Sequence, residues 1–308
     1  MFHLNKPDDL KKAFYAEKYL LADNAALVLF LAGEINKPVL VEGPAGAGKT
    51  DLARVLARTL GRRLIRLQCY EGLDEGKALY EWQYGKQLLY SQILKDKIAA
   101  TISDESDLAE AMERVFAFED VFFSERFLQP RPLLEAITST EPAVLLVDEV
   151  DKSDPEFEAF LLEVLSDFTV SIPELGTVSA KTMPRVVLTS NSSREMSDAL
   201  KRRCLHLYLD FPDRETEMEI IRLKVPDLGE TVAHQATAVV DALRHMSLKK
   251  SPSISETLDW AAALVSLCVE HLSDDVLDRT LSVLLKYERD LAQAREKRSE
   301  LTRAMGKA

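Results

Sequence analysis

Residues 43–50 read Gly-Pro-Ala-Gly-Ala-Gly-Lys-Thr, a full G-x-x-x-x-G-K-T loop. Its flanks constrain the fold as much as the loop does. Pro38-Val39-Leu40-Val41 is a short apolar run, expected to be a strand. Lys49–Leu60 carries Leu52, Ala53, Val55, Leu56 and Leu60 at helical spacing, and Gly61 closes it. Strand, glycine loop and helix in this order make a phosphate-binding loop, because the loop N–H groups and the helix N-terminus form a nest for phosphate oxygens. Nucleotide contacts are expected from Gly43, Pro44, Ala45, Gly46, Ala47, Gly48, Lys49, Thr50 and Asp51. Lys49 would reach the β- and γ-phosphates, and Thr50 would place its hydroxyl on Mg²⁺.

Further apolar runs follow at Leu64–Leu67, Ala143–Val147, Val186–Thr189 and Leu205–Leu209, alternating with helical stretches. Such alternation marks an α/β fold with a parallel sheet, here of five strands. The first, third and fourth runs are nearly all apolar, as strands covered on both faces should be. Residues 68–142 form a stretch far longer than a simple crossover needs, so extra elements are expected there, with helices at 88–100 and 105–118. Thr169–Ile172 and Thr177–Ser179 alternate around a Gly-containing loop and read as a β-hairpin. Strands stop at Phe211-Pro212-Asp213. Helices are expected at about 213–224, 230–246, 255–272 and 275–300, with the chain from Ala292 as a solvated helix end. The expected division is an α/β nucleotide-binding domain over 1–211 and an α-helical lid over 212–308.

The third run ends in Asp148-Glu149. An acidic pair delivered at the C-terminal end of an apolar strand suits the sheet edge where ligands of such folds bind. Asp148 would hold Mg²⁺ opposite Thr50, and Glu149 would activate water as a general base. The fourth run ends in Thr189-Ser190-Asn191, and the Asn191 amide could orient that water or contact the γ-phosphate. Lys201-Arg202-Arg203 comes next. Arg202 or Arg203 could neutralise transition-state charge on a neighbouring subunit's γ-phosphate, an effect worth ~10³–10⁵ in rate, and the planar guanidinium suits that task. With Lys49, these make the catalytic set Lys49, Glu149, Asn191, Arg202 and Arg203. No N-K-x-D guanine-reading motif follows the acidic strand, and no L-S-G-G-Q signature appears.

Composition limits the function classes. The net charge is −12, and no basic stripe is visible, so nucleic acid is not an expected partner. A nucleic-acid motor or loader remains the alternative reading, and a nucleotide-gated scaffold with little turnover is a third. Three cysteines stand far apart without a C-x-x-C pair, as expected of buried free thiols in a reducing compartment. The first residues lack an apolar signal core, and no stretch is long enough for a membrane span. A cytoplasmic location is expected.

Taken together, Gly43–Thr50, Val144–Glu149, Thr189–Asn191 and Arg202-Arg203 resemble the Walker A, Walker B, sensor-1 and arginine-finger set of the AAA+ ATPases. The long segment before Walker B and the hairpin at 169–179 resemble the helix-2 and pre-sensor-1 inserts of one AAA+ branch. Within it the chain resembles the MoxR family. The stretches Glu71–Asp74, Ile172–Thr177 and Ser253–Trp260 look most like its CoxD-type members. The resemblance implies ATP with Mg²⁺ bound between subunits of a homo-hexamer. It implies a chaperone that matures metalloenzymes with a von Willebrand factor A domain protein; in CoxD-type members the client is a molybdenum hydroxylase such as aerobic carbon monoxide dehydrogenase. The inserts would face the ring pore and client, with Glu174-Leu175-Gly176 and the Tyr80–Tyr84 cluster as candidate contacts; insert core is the other reading of that aromatic cluster. The chain departs from the family in one place: MoxR relatives often carry a sensor-2 arginine where this chain reads Ser251–Trp260, without one. Lys249 or Lys250 could reach the γ-phosphate instead.

Overall fold

A computed structural model describes residues 5–103, 124, 126–173 and 175–306. Helices α1 (Pro7–Ala16) and α2 (Asp23–Glu34) precede β1 (Val39–Glu42), α3 (Lys49–Leu60) and β2 (Arg63–Gln68). The long insertion follows, with α4 (Glu75–Leu79), β3 (Tyr80–Trp82), α5 (Tyr84–Ser103), β4 (Leu128–Pro130) and α6 (Pro132–Thr138). Next come β5 (Ala143–Asp148), α7 (Pro155–Asp167), the hairpin β6 (Thr169–Ile172) and β7 (Gly176–Ser179), β8 (Arg185–Ser190), α8 (Asp198–Arg203) and β9 (Leu205–Tyr208). Six helices complete the chain: α9 (Arg214–Lys224), α10 (Glu230–Arg244), α11 (Ile254–Ser266), α12 (Asp274–Leu284), α13 (Glu288–Glu296) and α14 (Arg298–Gly306).

Five strands form one parallel sheet in the order β2-β5-β8-β1-β9. Every residue of β5 is buried, which is why its sequence is apolar until Asp148. Helix α3 buries Leu52, Ala53, Val55 and Leu56 against the sheet and ends on Gly61 in the left-handed conformation. One apolar cluster covers the face of the sheet beside α6 and α7, and another joins α1, α2 and α3 to the opposite face. A third runs from Met218 to Met305 within the helical region. The order puts β8 between β5 and β1. The loop after β1, the acids ending β5 and the residue after β8 therefore share one sheet edge.

The structure differs from the sequence expectations in several places. β3 and β4 form a small antiparallel sheet, with Tyr80 opposite Pro130 and Trp82 opposite Leu128. In the aromatic cluster Trp82 is buried while Tyr84 is exposed. The helix expected at 88–100 extends over Tyr84–Ser103; the one expected at 105–118, and Glu174 of the hairpin tip, lie outside the described residues. The expected last lid helix is three helices. Leu285 leaves the helical conformation with its side chain buried, and Asp290 in the first turn of α13 accepts hydrogen bonds from the N–H groups of Lys249 and Lys250. Nor is the tail solvated on all sides: Ala294, Leu301 and Met305 are buried, and α14 packs on α10. Of the cysteines, Cys69 and Cys204 are buried but Cys268 is exposed. Among the described residues no helix is long and apolar enough to cross a membrane.

Candidate nucleotide site

The glycine loop is shaped by what lies against it. A Cβ on Gly43 would fall 1.9 Å from the Leu209 carbonyl oxygen, and one on Gly46 would fall 2.2 Å from Ser253 Cβ. The first glycine lets β1 turn beneath the chain leaving β9. The second lets the residue preceding α11 sit on the loop. Lys49, first in α3, is buried, and its Nζ donates to the carbonyls of Gly43 (2.8 Å) and Pro44 (2.7 Å). Burial pulls its pKa below the ordinary lysine value, opposed by the charges of Asp151, Asp148 and Glu149. The ammonium is thus held at the inner face of the loop.

Asp148 is 1% exposed and fully hydrogen-bonded. Its Oδ1 accepts from Thr50 Oγ1 (3.0 Å) and Thr189 Oγ1 (2.5 Å), and its Oδ2 accepts from Arg66 Nη2 (2.6 Å) and Nε (3.0 Å). Glu149 takes a left-handed backbone conformation, φ 56°, unfavourable for a side-chain-bearing residue; its N–H donates to Thr189 Oγ1 at 2.9 Å. That bend aims the Glu149 carboxylate back along the edge. Asn191 Nδ2 (3.2 Å) reaches one carboxylate oxygen, and Gln68 Nε2 (2.9 Å) and Lys152 Nζ (2.6 Å) reach the other. Asp151 accepts from the N–H (3.0 Å) and hydroxyl (2.5 Å) of Ser193, tying the acidic turn to the loop that carries Asn191. Burial would raise the Asp151 pKa, but these donors outweigh it and hold the carboxyl below the usual range.

Thr50, Asp148, Glu149 and Asn191 therefore form one hydrogen-bonded cluster beside the Lys49 loop. Arg66 and Gln68, which sequence reasoning missed, belong to it as well. They sit on β2 in register with Leu146 and Asp148. A sequence alone does not say which strand lies beside the acidic one, so two polar residues on a strand otherwise noted for Leu and Ile carried no signal.

A sequence model of the AAA domain, dynein-related subfamily, matches residues 38–204, more than half of the chain. This chain belongs to that family. Among curated proteins it is similar to the gas vesicle ATPase GvpN of Haloferax mediterranei, 29% identical over 220 residues that cover 68% of this chain and 57% of that protein. It is also similar to the gas vesicle ATPase GvpN1 of Halobacterium salinarum, 25% identical over 268 residues, covering 80% and 71%. The chain thus spans little more than half the length of the first relative. Among solved structures it resembles the Thermotoga maritima RuvB Holliday junction branch migration motor, 17% identical with a TM-score of 0.45, covering 90% of this chain and 71% of that one.

In this AAA domain the remaining expected site residues lie elsewhere. Arg202 and Arg203 end α8, both exposed, and Arg203 Nη1 donates to the Leu162 carbonyl at 2.8 Å. β9 enters the sheet beside Val39 and reaches Glu42 only at Tyr208. The two arginines therefore stand at the sheet edge opposite their own glycine loop. Asp51 turns its carboxylate to Lys224 of α9, at 2.8 Å. Lys249 Nζ lies 4.0 Å from the centre of the Tyr287 ring, and Lys250 Nζ pairs with Glu256 at 3.0 Å, so both are engaged within the lid. A cavity of about 530 Å³ opens between the glycine loop, Tyr19–Ala22, Phe211 and Leu258, next to where the phosphates would lie.

Proposed function

We propose that this chain binds ATP with Mg²⁺ and hydrolyses it to remodel a protein client. The observation that carries this reading is the gathering of Thr50, Asp148, Glu149 and Asn191 at the edge that bears the Lys49 loop. The nucleotide's phosphates would lie on the loop N–H groups, with the Lys49 ammonium turning from the Gly43 and Pro44 carbonyls to the phosphate oxygens. The base would enter the cavity between Tyr19–Ala22 and Leu258. The residues suit Mg²⁺: a hydroxyl and a carboxylate in mutual contact offer few protein ligands, as fits an ion that keeps waters and phosphate oxygens around it. Thr50 and Asp148 would hold it. When bound, Mg²⁺ neutralises phosphate charge and orients the phosphates for in-line attack.

Glu149 supplies the base. Its carboxylate takes a proton from water as the water oxygen bonds to the γ-phosphorus, while the bond from that phosphorus to the β–γ bridging oxygen breaks and ADP leaves. Asn191, already bonded to Glu149, shares the placing of that water. Arg202 or Arg203 serves the site of a neighbouring copy, since neither can reach its own loop from the far edge. This supports a closed ring, for which a homo-hexamer is the proposal.

For the subfamily we propose the MoxR type, with the CoxD-type stretches pointing to metalloenzyme maturation alongside a von Willebrand factor A domain protein. The client would then be a molybdenum hydroxylase such as carbon monoxide dehydrogenase. The two curated relatives favour a second reading, a role with gas vesicles as those proteins' names state. One experiment tests the chemistry and separates the clients. Glu149→Gln should still bind ATP while turnover falls ~10²–10⁴-fold. Tagged and purified with ATP and Mg²⁺, it should retain its client for identification. Near-normal turnover would remove Glu149 from the base role. Loss of nucleotide binding in Lys49→Ala is expected in parallel; tight ATP binding by that variant would overturn the loop assignment.

A further inference from the structure

The carboxylate assigned to Mg²⁺ is already neutralised by the protein itself. Both Arg66 donors that reach Asp148 go to the same oxygen, Oδ2, while Thr189 serves Oδ1 and the Thr50 hydroxyl lies 3.0 Å from Oδ1 and 3.3 Å from Oδ2. A carboxylate that is 1% exposed carries a desolvation cost that such a partner offsets. With Arg66 in this position, a divalent cation at the same carboxylate would be repelled by a guanidinium a few ångströms away.

Arg66 has somewhere to go. β2 is an edge strand of the sheet, and the Arg66 side chain is 43% exposed, so the head group can swing into water without leaving a cavity. Its Nη2 also donates to Gln68 Oε1, and Gln68 Nε2 donates to Glu149 Oε2 at 2.9 Å. Movement of Arg66 therefore removes one of the bonds that orient Gln68 on Glu149.

Resting on the nucleotide reading above, we propose that Arg66 is a displaceable internal counter-ion. It neutralises Asp148 in the metal-free protein and leaves when Mg²⁺ enters with nucleotide. Mg²⁺ binding is then an exchange of one cation for another, and its apparent affinity is set partly by how firmly Arg66 holds on. Arg66 is a positioning residue here; it touches neither phosphate nor water in the reaction.

The test is binding of a fluorescent ADP (N-methylanthraniloyl-ADP) as a function of Mg²⁺ concentration, for the full chain and for Arg66→Gln. Removing the competing charge should lower the half-saturating Mg²⁺ concentration about tenfold, roughly the worth of one hydrogen bond to a charged group. An unchanged or higher Mg²⁺ requirement would overturn the proposal. Should Arg66→Gln fail to fold, the unaltered protein gives the answer through phenylglyoxal, which modifies free guanidinium groups, with the Arg66 peptide followed by mass spectrometry. Modification should be faster with ADP and Mg²⁺ than with ADP and EDTA. Equal or slower modification means that Arg66 stays in place, and the idea fails. If the unaltered protein binds the fluorescent ADP at no Mg²⁺ concentration, the nucleotide reading itself falls and takes the proposal with it.

Discussion

Of the buried carboxylates that meet an arginine, Asp148 at the sheet edge and Glu217 in the helical region make two pairs that are built differently. In the lid, Glu217 on α9 takes two parallel bonds from Arg244 on α10, at 2.7 and 2.8 Å. Arg244 Nε donates to the Pro252 carbonyl at 3.0 Å, and its guanidinium lies 5.0 Å from the centre of the Phe211 ring. The Arg244 side chain is 12% exposed and that of Glu217 1%. At the sheet edge the carboxylate is as deeply buried, but its arginine is 43% exposed and bonds a single oxygen. Every donor face of Arg244 is committed, joining α9, α10, the turn before α11 and the Phe211 linker. Arg66 is anchored on one side only. The same two functional groups thus serve as a fixed joint in one region and as an exchangeable partner in the other, and the number of additional commitments of the arginine decides which.

The largest expected effect tests the fixed joint. Arg244→Ala leaves Glu217 buried and unpaired, a loss of ~3–5 kcal/mol that urea unfolding would register. Its pH dependence has a definite sign. Burial raises the Glu217 pKa above the ordinary glutamate value, and Arg244 is the main force opposing that rise. Without Arg244 the folded protein holds a proton that the unfolded chain releases. Its stability is then greatest below the unfolded glutamate pKa of about 4.3 and declines as pH rises toward the higher folded value. The gap between variant and parent should therefore be wider at pH 8 than at pH 5. A gap that narrows on going to pH 8 would show that Glu217 is not the source of the loss.

The Arg66 side of the comparison predicts a smaller cost. Arg66→Gln should lower metal-free stability by only about 1 kcal/mol, because the arginine is partly solvated and Asp148 keeps both threonine hydroxyls. An equal loss in the two variants would erase the distinction between joint and exchangeable partner, whatever the Mg²⁺ titration shows.

The two regions also differ in how far they could be read from residues. At the sheet edge, Lys49, Thr50, Asp148, Glu149 and Asn191 each occupy the end of an apolar strand or the start of a helix, so local pattern placed them before topology was known. Arg66 and Gln68 escaped because their significance comes from the pairing of β2 with β5, a contact between segments separated by the whole insertion. In the lid, the apolar spacing of Leu277, Leu281, Leu284 and Leu291 fits one long helix. Nothing local announces the break at Leu285–Tyr287, which follows from the demand for Asp290 by the Lys249–Lys250 turn. The burial of the last helix was partly legible: Ala294, Leu301 and Met305 recur at helical spacing in a stretch dismissed as solvated. Asp51 was assigned to nucleotide by its position next to Thr50, and only the folded chain reveals Lys224 opposite it.

That last contact joins the two regions and supplies the smallest prediction. Lys224, at the end of α9, carries 31% of its side-chain exposure and Asp51 34%, so the ion pair is screened and worth ~0.5–1 kcal/mol. It is nonetheless well placed. Asp51 follows the residue that would touch Mg²⁺, and Lys224 borders the same cavity as Tyr19 and Leu258. In the helical region Ser251–Trp260 holds no arginine, and Lys249 and Lys250 are engaged by Tyr287 and Glu256. Lys224–Asp51 and the seating of Ser253 on Gly46 are side-chain links from the helical region to α3 and its glycine loop. Lys224→Ala should leave the unfolding midpoint nearly unchanged, since the Arg244–Glu217 joint is untouched. Release of a fluorescent ADP, measured by stopped flow, should quicken about two- to fivefold, the rate equivalent of that energy. Unchanged release would mean that the lid holds nucleotide through the Ser253–Gly46 contact and the cavity walls alone. The coupling between the two regions would then be one of packing rather than charge.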